Sequence, residues 1–273
     1  MTDQFRSEIR QRLIYNNPDK KKIAKDMLER YTGASAAEFH SHIILTNFHK
    51  YLTEFSESCN AGIKSGSIMS VAHCPDVKVS MVDFKIGAPT AALIIELLSV
   101  LDPQAVLFLG MCGGLHPSLE TGDFILPMAA IRDEGVSHHF IPPRVPSLPT
   151  FKIQKFVSQI IVEKGWDYRT GVVHTTDYRF WEFDEQFKRS LYEERSIAID
   201  MECSALFSVG FVSKVPIGAL LLVSDLPLKK GGIKTKTSSE HVFDTYTERH
   251  IEIGIESMTD IQKRGEYIRH YRW

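Results

Sequence analysis

The feature that most constrains the fold is a regular alternation between short apolar runs and segments with helical spacing of apolar residues. The clearest run is Ala105–Leu109, which leads directly into the glycine-rich stretch Gly110–Gly114. Short apolar runs bounded by turn residues indicate buried strands, and strands that alternate with helices are typical of α/β proteins. We therefore predict a single α/β domain whose central mixed β-sheet has helices on both faces.

The same patterns predict the positions of the individual elements. Strands are expected within residues 41–48, 67–74, 79–87, 105–115, 122–135, 168–177, 196–201 and 217–226. Helices are expected within residues 49–58, 86–101, 151–165 and 202–214 and from about residue 238 onward. Residues 1–34 are predicted to form a charged helical arm, broken into two helices by NNPDKKK (16–22), and residues 35–273 the main domain.

Charge and composition exclude several classes of function. The 273 residues include 32 basic and 34 acidic side chains, and a formal net charge of −2 offers no attraction to a nucleic acid polymer or a membrane surface. The polar N-terminal sequence does not fit a signal peptide, and no apolar run is long enough to span a bilayer. We therefore expect a cytoplasmic protein.

Neither the cysteines nor the histidines indicate a metal centre. The cysteines Cys59, Cys74, Cys112 and Cys203 lack metal-type spacing, and we expect all of them to be free thiols. His138 and His139 are too close in sequence for the usual pair of histidine ligands on a helix. We expect neither a metal nor a cofactor.

Polar residues collect at the points where the predicted strands end. In α/β sheets, ligands bind at the carboxyl ends of the strands. The segments that occupy such positions are 46–48, 87–89, 110–114 and 224–226, together with the acids Asp200 and Glu202. We therefore expect these segments to form a ligand site.

Each of these motifs has a structural alternative when it is taken alone. The glycines of 110–114 allow close approach of a ligand to the backbone, but a tight turn also explains them, and their spacing fits neither a Walker loop nor a dinucleotide fingerprint. Asp225, after an apolar strand, is either a helix cap or a proton donor. The lysines of 229–236 could meet an anionic substrate, but we expect them to be solvated in a mobile loop.

Three further segments are candidates for substrate contacts. His49 and Lys50 lie at a predicted helix N-terminus, where backbone N–H groups and the helix dipole attract phosphate. The aromatic residues of 178–183 surround Arg179 and could stack on a planar base, although core packing is expected for most of them. The proline-rich stretch 141–149 is expected to be a loop over the site.

Four stretches, taken in order, resemble the nucleoside phosphorylase/nucleosidase superfamily. They are AVLFLGMCGGL (105–115), GDFILP (122–127), AIDMECSAL (198–206) and LLLVSDLP (220–227). From about residue 35 to the C-terminus, further stretches such as TNFHKYL (46–52) are similar to the catalytic domain of bacterial AMP nucleosidases. The resemblance implies a nucleoside phosphorylase-like fold and hydrolysis of AMP to adenine and ribose 5-phosphate. Longer members have a regulatory domain before this region, so we expect activation by ATP to be absent or weakened.

The resemblance also implies roles for individual residues. Glu202 matches the acid that binds the ribose 2′- and 3′-hydroxyls, Met201 packs against the sugar, and Asp225 matches the acid that serves purine N7. Asp200 is either a substrate ligand or a helix cap. The other candidate substrate-binding residues are Ser224, Gly113 and Phe180, with Asn47, His49, Lys50, His73 and Arg179 as candidates for the 5′-phosphate.

The resemblance further indicates water as the nucleophile. Phosphorylases of the superfamily carry an arginine just before the glycine-rich turn, where this chain has Leu107, Phe108 and Leu109, and Met111 occupies a usually small, polar position. Water-using relatives have a glutamate in the first loop that is absent from 46–51, so no base is assigned. The alternatives are a purine nucleoside phosphorylase or nucleosidase acting on unphosphorylated nucleosides, or a catalytically silent nucleotide-binding sensor. A homohexamer with sites completed across subunit interfaces is also implied.

Overall fold

The computed structural model describes residues 17–264, which form seven α-helices and one nine-stranded sheet. The strands are β1 (His42–Thr46), β2 (Ile63–Ser65), β3 (Ser70–Cys74), β4 (Val79–Asp83), β5 (Ala105–Gly114), β6 (Phe124–Asp133), β7 (Arg169–Thr176), β8 (Ala198–Asp200) and β9 (Ile217–Asp225). The helices are α1 (Pro18–Thr32), α2 (His49–Ser58), α3 (Ala88–Leu98), α4 (Phe151–Glu163), α5 (Glu185–Glu193), α6 (Cys203–Ser213) and α7 (Lys236–Lys263).

The sheet is mixed and closes on itself at one end. Its strand order is β2-β3-β4-β1-β5-β8-β7-β6-β9, and β9 also pairs in parallel with β5. Strands β5, β8, β7, β6 and β9 therefore form a ring, while β1 to β4 extend from it as an open sheet. The predicted mixed α/β sheet is confirmed, and the ring closure is an addition that strand patterns alone do not indicate.

Helices cover both faces of the sheet, as predicted. On one face, Leu28 of α1, Leu98 of α3 and Phe207 of α6 are buried in one core. On the other face, Phe55 of α2 and Met258 of α7 are buried in a second core. Two apolar layers explain why the central strands have continuous apolar runs rather than an alternation of apolar and polar residues.

Strand β5 demonstrates this arrangement residue by residue. Its side chains alternate between the faces, so Val106 and Phe108 join the first core while Leu107 and Leu109 join the second. All four are fully buried. The strand continues through the glycine-rich stretch to Gly114, where the sequence alone predicts a turn.

Helix α1 begins at a strong local signal. Asn17 accepts hydrogen bonds from the backbone N–H groups of Asp19 and Lys20, and Pro18 occupies the first helical position. A helix start at this position agrees with the second of the two helices predicted around NNPDKKK, and the helix predicted before it lies outside the described residues. Helix α7 begins at Lys236, two residues before its predicted start.

One β-strand, one α-helix and one covalent link were not predicted. Strand β2 has three residues, of which only Ile63 is apolar, and helix α5, although amphipathic, has only nine residues. Cys59, at the end of α2, and Cys74, at the end of β3, form a disulfide with a Cα–Cα distance of 5.5 Å. The prediction of free thiols is therefore wrong for this pair, which the tertiary packing of β3 against α2 brings together, and holds for Cys112 and Cys203.

Within residues 17–264, no group of three or more His, Cys, Asp or Glu side chains is arranged to hold a metal ion. The helices of this region are also too short or too polar to cross a membrane. The proline-rich stretch 141–149 does not line the pocket described below. The Arg132 guanidinium binds three of its carbonyl groups, and Ser147 donates to the Ser204 carbonyl, so the loop is fastened to β6 and α6 instead of covering the site.

Candidate active site

The strand ends enclose a pocket of about 190 Å³. Its walls come from the turn after β1 and from the ends of β5, β7, β8 and β9. The described residues that line it are Asn47, Phe48, Ile86, Met111, Cys112, Gly113, Thr176, Tyr178, Arg179, Trp181, Glu182, Ile199, Asp200, Met201, Glu202, Ser224, Asp225, Pro227 and Lys234. A concave pocket at this edge of the sheet, lined by apolar side chains and a few convergent polar groups, is the candidate active site.

Glu202 lies between β8 and α6 and is 2% exposed. Its Oε1 accepts a hydrogen bond of 2.8 Å from the backbone N–H of Gly87, whose φ of 97° favours glycine. Burial and, secondarily, the neighbouring charge of Asp200 raise the pKa of Glu202 to about 8. Its carboxyl group retains the capacity to accept hydrogen bonds from ligand hydroxyls.

Asp200 is bound to the start of helix α6. Its Oδ2 accepts from the backbone N–H groups of Glu202 at 3.2 Å and Cys203 at 2.7 Å, and its Oδ1 accepts from the Thr175 hydroxyl at 2.6 Å. Burial raises the pKa of Asp200, and these hydrogen bonds oppose the rise. The N-cap position of α6 is Glu202, so Asp200 is not the helix cap itself, but its hydrogen bonds favour a structural role in which it fixes the backbone that carries Glu202.

Asp225 ends strand β9 and faces the same pocket. The Ser224 hydroxyl donates to its Oδ1 at 2.6 Å. Burial raises the pKa of Asp225, while this hydrogen bond and the charges of Lys234 and Arg179 oppose the rise. A carboxyl group with a raised pKa holds its proton to higher pH, as a proton donor to a leaving group requires.

Arg179 and Glu182 form an ion pair in the pocket wall. Arg179 Nη1 donates to Glu182 Oε1 at 2.8 Å. Glu182 is buried, and its Oε2 has no hydrogen-bond partner among the residues that the structure describes. Arg179 is therefore held by a carboxylate, whereas the sequence suggests it as a phosphate ligand.

Lys234 enters the pocket from the loop that precedes α7. Its Nζ lies 3.4 Å from Met111 Sδ and 5.4 Å and 5.8 Å from the ring centroids of Phe48 and Phe243. Burial lowers the pKa of Lys234, and the charge of Asp225 opposes the change. The expectation of a solvated side chain is wrong for Lys234, because its stem packs among apolar groups and brings a cation into the pocket.

Two of the predicted phosphate ligands lie outside the pocket lining in the first turn of α2. His49 Nδ1 lies 3.4 Å from an Asp83 oxygen, and Lys50 Nζ lies 2.5 Å from Asp244 Oδ1 of α7. A helix start does not fix which way its side chains point. Here they reach β4 and α7 instead of the pocket.

His73 and Phe180 also lie outside the pocket lining. His73 is on β3, where its Nδ1 shares a hydrogen bond of 2.9 Å with the Ser80 hydroxyl. Phe180 is 68% exposed, whereas Tyr178 and Trp181 of the same segment line the pocket. Core packing, expected for most aromatic residues of this segment, is found for Trp181 but not for Tyr178, Phe180 or Phe183, which are 46%, 68% and 76% exposed.

The pocket also contains residues that sequence reasoning did not single out. They include Ile86, Thr176 and Glu182. Ile86 adjoins the turn 87–89 that was predicted to lie at this edge, so its position in the chain was the available signal. Glu182 had no such signal, because the short 3₁₀ helix Trp181–Phe183 that orients it was not predicted.

Comparison with known proteins gives one consistent family. Residues 42–257 match the family model described as the phosphorylase superfamily. The chain is 27% identical to the AMP nucleosidase of Escherichia coli K12, across 88% of this chain but only 59% of that protein. It is 25% identical to the uridine phosphorylase of Treponema pallidum across 71% of this chain and 81% of that protein.

Solved structures agree with this result. The crystal structure of AMP nucleosidase from Bacteroides thetaiotaomicron superimposes with a TM-score of 0.80 at 38% identity, covering 90% of this chain and 98% of that one. Uridine phosphorylase from Vibrio fischeri ES114, with a TM-score of 0.76 at 19% identity over 85% of this chain and 96% of that one, supports the fold alone. The chain therefore belongs to the phosphorylase superfamily and, within it, to the AMP nucleosidase family.

Proposed function

We propose that the protein hydrolyses the N-glycosidic bond of AMP to adenine and ribose 5-phosphate. The observation that carries this proposal is the presence of two carboxyl groups with raised pKa values, Glu202 and Asp225, in one pocket. Membership of the AMP nucleosidase family supports AMP as the substrate. The chain spans 59% of the length of the Escherichia coli relative, so the activity of that longer protein is proposed, and not simply transferred, for this chain.

The two carboxyl groups have different tasks in this reaction. Water attacks ribose C1′, the C1′–N9 bond breaks, and its electron pair leaves with adenine, which takes a proton at N7 from Asp225. The attacking water releases a proton to solvent, from which Asp225 is reprotonated. Hydrogen bonds from the ribose hydroxyls favour the ionised form of Glu202, and the resulting carboxylate offsets the positive charge that develops on the sugar. General acid catalysis by Asp225 contributes roughly 10²–10⁴-fold.

Water is the proposed nucleophile because the pocket lacks the phosphorylase arginine. Phe108, in that region, is fully buried and packs against Phe84 in the core. Met111 lines the pocket at the position that is usually small and polar. Neither side chain offers hydrogen bonds to an inorganic phosphate.

Lys234 is the proposed partner of the AMP 5′-phosphate. Within residues 17–264 its ammonium group meets a thioether and two ring faces, with no carboxylate at ion-pair distance. An ammonium group that burial disfavours is stabilised when an anion binds beside it. Asn47, whose buried Oδ1 has no partner among the described residues, remains a proposed substrate ligand. His49, Lys50 and His73 are proposed only as contributors to a neighbouring subunit's site.

We further propose a cytoplasmic homohexamer that acts in purine nucleotide metabolism and adenine salvage. The resemblance to the superfamily supports sites completed across subunit interfaces. The exposed Phe180, beside the pocket-lining Arg179, is available for such a contact. Sedimentation analysis that gave only monomers at assay concentrations would remove this part of the proposal.

The direct test is product analysis with AMP, adenosine and inosine, each with and without inorganic phosphate. We expect adenine and ribose 5-phosphate from AMP, at a rate that does not depend on phosphate. Ribose 1-phosphates as products would establish a phosphorylase. Equal turnover of adenosine and AMP would disprove the nucleotide specificity, and binding of AMP without any turnover would favour a sensor.

A further inference from the structure

Glu182 lies in the wall of the pocket, and among the described residues only one of its two carboxylate oxygens has a hydrogen-bond donor. Glu182 is 8% exposed, and Arg179 Nη1 occupies its Oε1. No donor among residues 17–264 reaches its Oε2, which is also buried. Buried polar atoms without partners are uncommon in folded proteins and each requires an explanation. At the wall of a ligand pocket, a donor from the ligand is such an explanation.

The position of Glu182 limits which ligand atom can supply that donor. Glu182 and Asp225 line the same cavity of about 190 Å³, and the charge of Glu182 is close enough to raise the pKa of Asp225. In adenine, the N7 acceptor and the 6-amino donor are adjacent on one edge of the base. If Asp225 donates its proton to N7, an acceptor beside Asp225 faces the 6-amino group.

We propose that Glu182 accepts a hydrogen bond from the purine 6-amino group and makes the site selective for adenine nucleotides over 6-oxo purine nucleotides. This inference rests on the proposed function, because it uses Asp225 as the N7 partner. Guanine and hypoxanthine present an O6 acceptor where adenine presents the amino donor. An O6 opposite a carboxylate oxygen leaves both acceptors without a donor, which a site built for hydrogen bonding rejects strongly.

Arg179 acts in this scheme as a positioning residue. Its guanidinium has a fixed fork of donors, and it holds Glu182 Oε1 through a charge-assisted hydrogen bond. The other carboxylate oxygen is thereby left for the base. The adjacent Phe180 is exposed and takes no part in the contact.

The test is the substitution Glu182→Gln, with kcat/KM measured for AMP, IMP and GMP. A glutamine amide keeps the shape of glutamate but can turn its N–H donor toward O6. We expect the ratio of kcat/KM for AMP over IMP to fall by about tenfold to a hundredfold, the size of one hydrogen bond to a charged group. The matched control is Glu185→Gln, three positions away on α5 with its side chain 79% exposed, which should leave the ratio unchanged.

A merely structural role for Glu182 predicts a different result. In that case a folded Glu182→Gln protein would show the wild-type ratio of AMP to IMP, and the proposal would be overturned. If the variant does not fold, the test uses the wild-type protein. Its hydrolysis of purine ribonucleoside 5′-monophosphate, which lacks the 6-amino group, is compared with its hydrolysis of AMP. We expect kcat/KM for this analogue to be at least about tenfold below that for AMP, and equal values would overturn the proposal.

A failure of the proposed function can be separated from a failure of this inference. If the wild-type protein hydrolyses no AMP, calorimetric titration with free adenine and hypoxanthine still measures recognition of the base. Preferential adenine binding that Glu182→Gln abolishes supports the contact. Equal affinity of the wild-type protein for the two bases would overturn it.

Discussion

Two hollows on this molecule are each lined by several acidic side chains, but they differ in volume and in how deeply those acids are buried. The pocket at the strand ends has a volume of about 190 Å³, whereas a groove between α2 and α7 has about 760 Å³. The described residues that line this groove are Lys50, Glu54, Glu57, Ser58, Phe243, Asp244, Thr247, Glu248, Ile251, Glu252, Ile255 and Glu256. The larger hollow therefore contains the larger number of acids.

The environment of the acids distinguishes the two hollows. In the groove, Glu252 and Glu256 both bind Lys164, and Asp244 binds Lys50 while its side chain is 71% exposed. In the pocket, Glu202 is 2% exposed and its pKa is raised to about 8. Partial burial also raises the pKa of Glu54 in the groove, but its side chain is 28% exposed. A fully buried acid with an altered pKa can bind a ligand or transfer a proton. The depth of burial, rather than volume or charge, therefore distinguishes the candidate site.

The largest expected effect comes from removing the buried acids. Asp225→Asn removes the proton donor and Glu202→Gln removes the carboxylate that the ribose hydroxyls stabilise on binding, so each should lower kcat for AMP at least about a hundredfold. Steady-state assays at saturating AMP measure this change. Circular dichroism of both variants checks that the loss is not caused by unfolding. A rate close to that of the wild-type protein in either variant would refute the role of that residue.

The ammonium group of Lys234 should affect the binding of AMP more than its turnover. Lys234→Met keeps a long apolar stem but removes the charge, so KM for AMP should rise by about tenfold to a hundredfold, the range of a hydrogen bond to a charged group. KM for adenosine should change little, since adenosine has no phosphate. Lys230→Met, on the same loop and exposed, is the control. Equal increases for AMP and adenosine would contradict a phosphate contact.

The sequence predicts the positions of the two buried acids of the pocket, because a local pattern, an apolar run that ends in an acid, indicates each of them. Short apolar runs before Glu202 and Asp225 indicated β8 and β9, and in α/β sheets ligands bind at the carboxyl ends of the strands. Glu202 and Asp225, directly after apolar strands, were therefore predicted to lie near each other. Both line the pocket.

The remaining features depend on tertiary packing. Lys50 and Lys234 both lie near a helix start and both approach the ring of Phe243. Lys50 pairs with Asp244 of α7, whereas Lys234 reaches Met111 and Phe48 in the pocket. The Cys59–Cys74 disulfide likewise depends on the packing of β3 against α2. The spacing of residues in the sequence predicts neither the position of Lys234 in the pocket nor the disulfide.

The raised pKa of Glu202 has a consequence for stability. Its ordinary value is near 4.5 and its folded value is about 8, so the folded protein binds more protons than the unfolded chain between these pH values. Stability should therefore fall as pH rises through this window, by up to about 1.4 kcal/mol per pH unit. Urea unfolding between pH 5 and 9 measures the slope. Glu202→Gln lacks this titration and should show a shallower slope, and parallel profiles would contradict the assignment.

The smallest effect is expected in the groove, at Glu248. The acids Asp244, Glu248 and Glu252 follow one another at four-residue spacing on α7, so Glu248 faces a like charge on each side along the helix. Like charges at this spacing destabilise a helix by about 0.2–0.5 kcal/mol per pair. Glu248→Gln should therefore raise the unfolding free energy slightly, by no more than about 1 kcal/mol, and raising the salt concentration should reduce the gain. Hydrolysis of AMP should remain unchanged, because an exposed acid outside the pocket contacts no reacting atom. A tenfold loss of activity in this variant would mean that the groove, despite its solvated acids, takes part in catalysis.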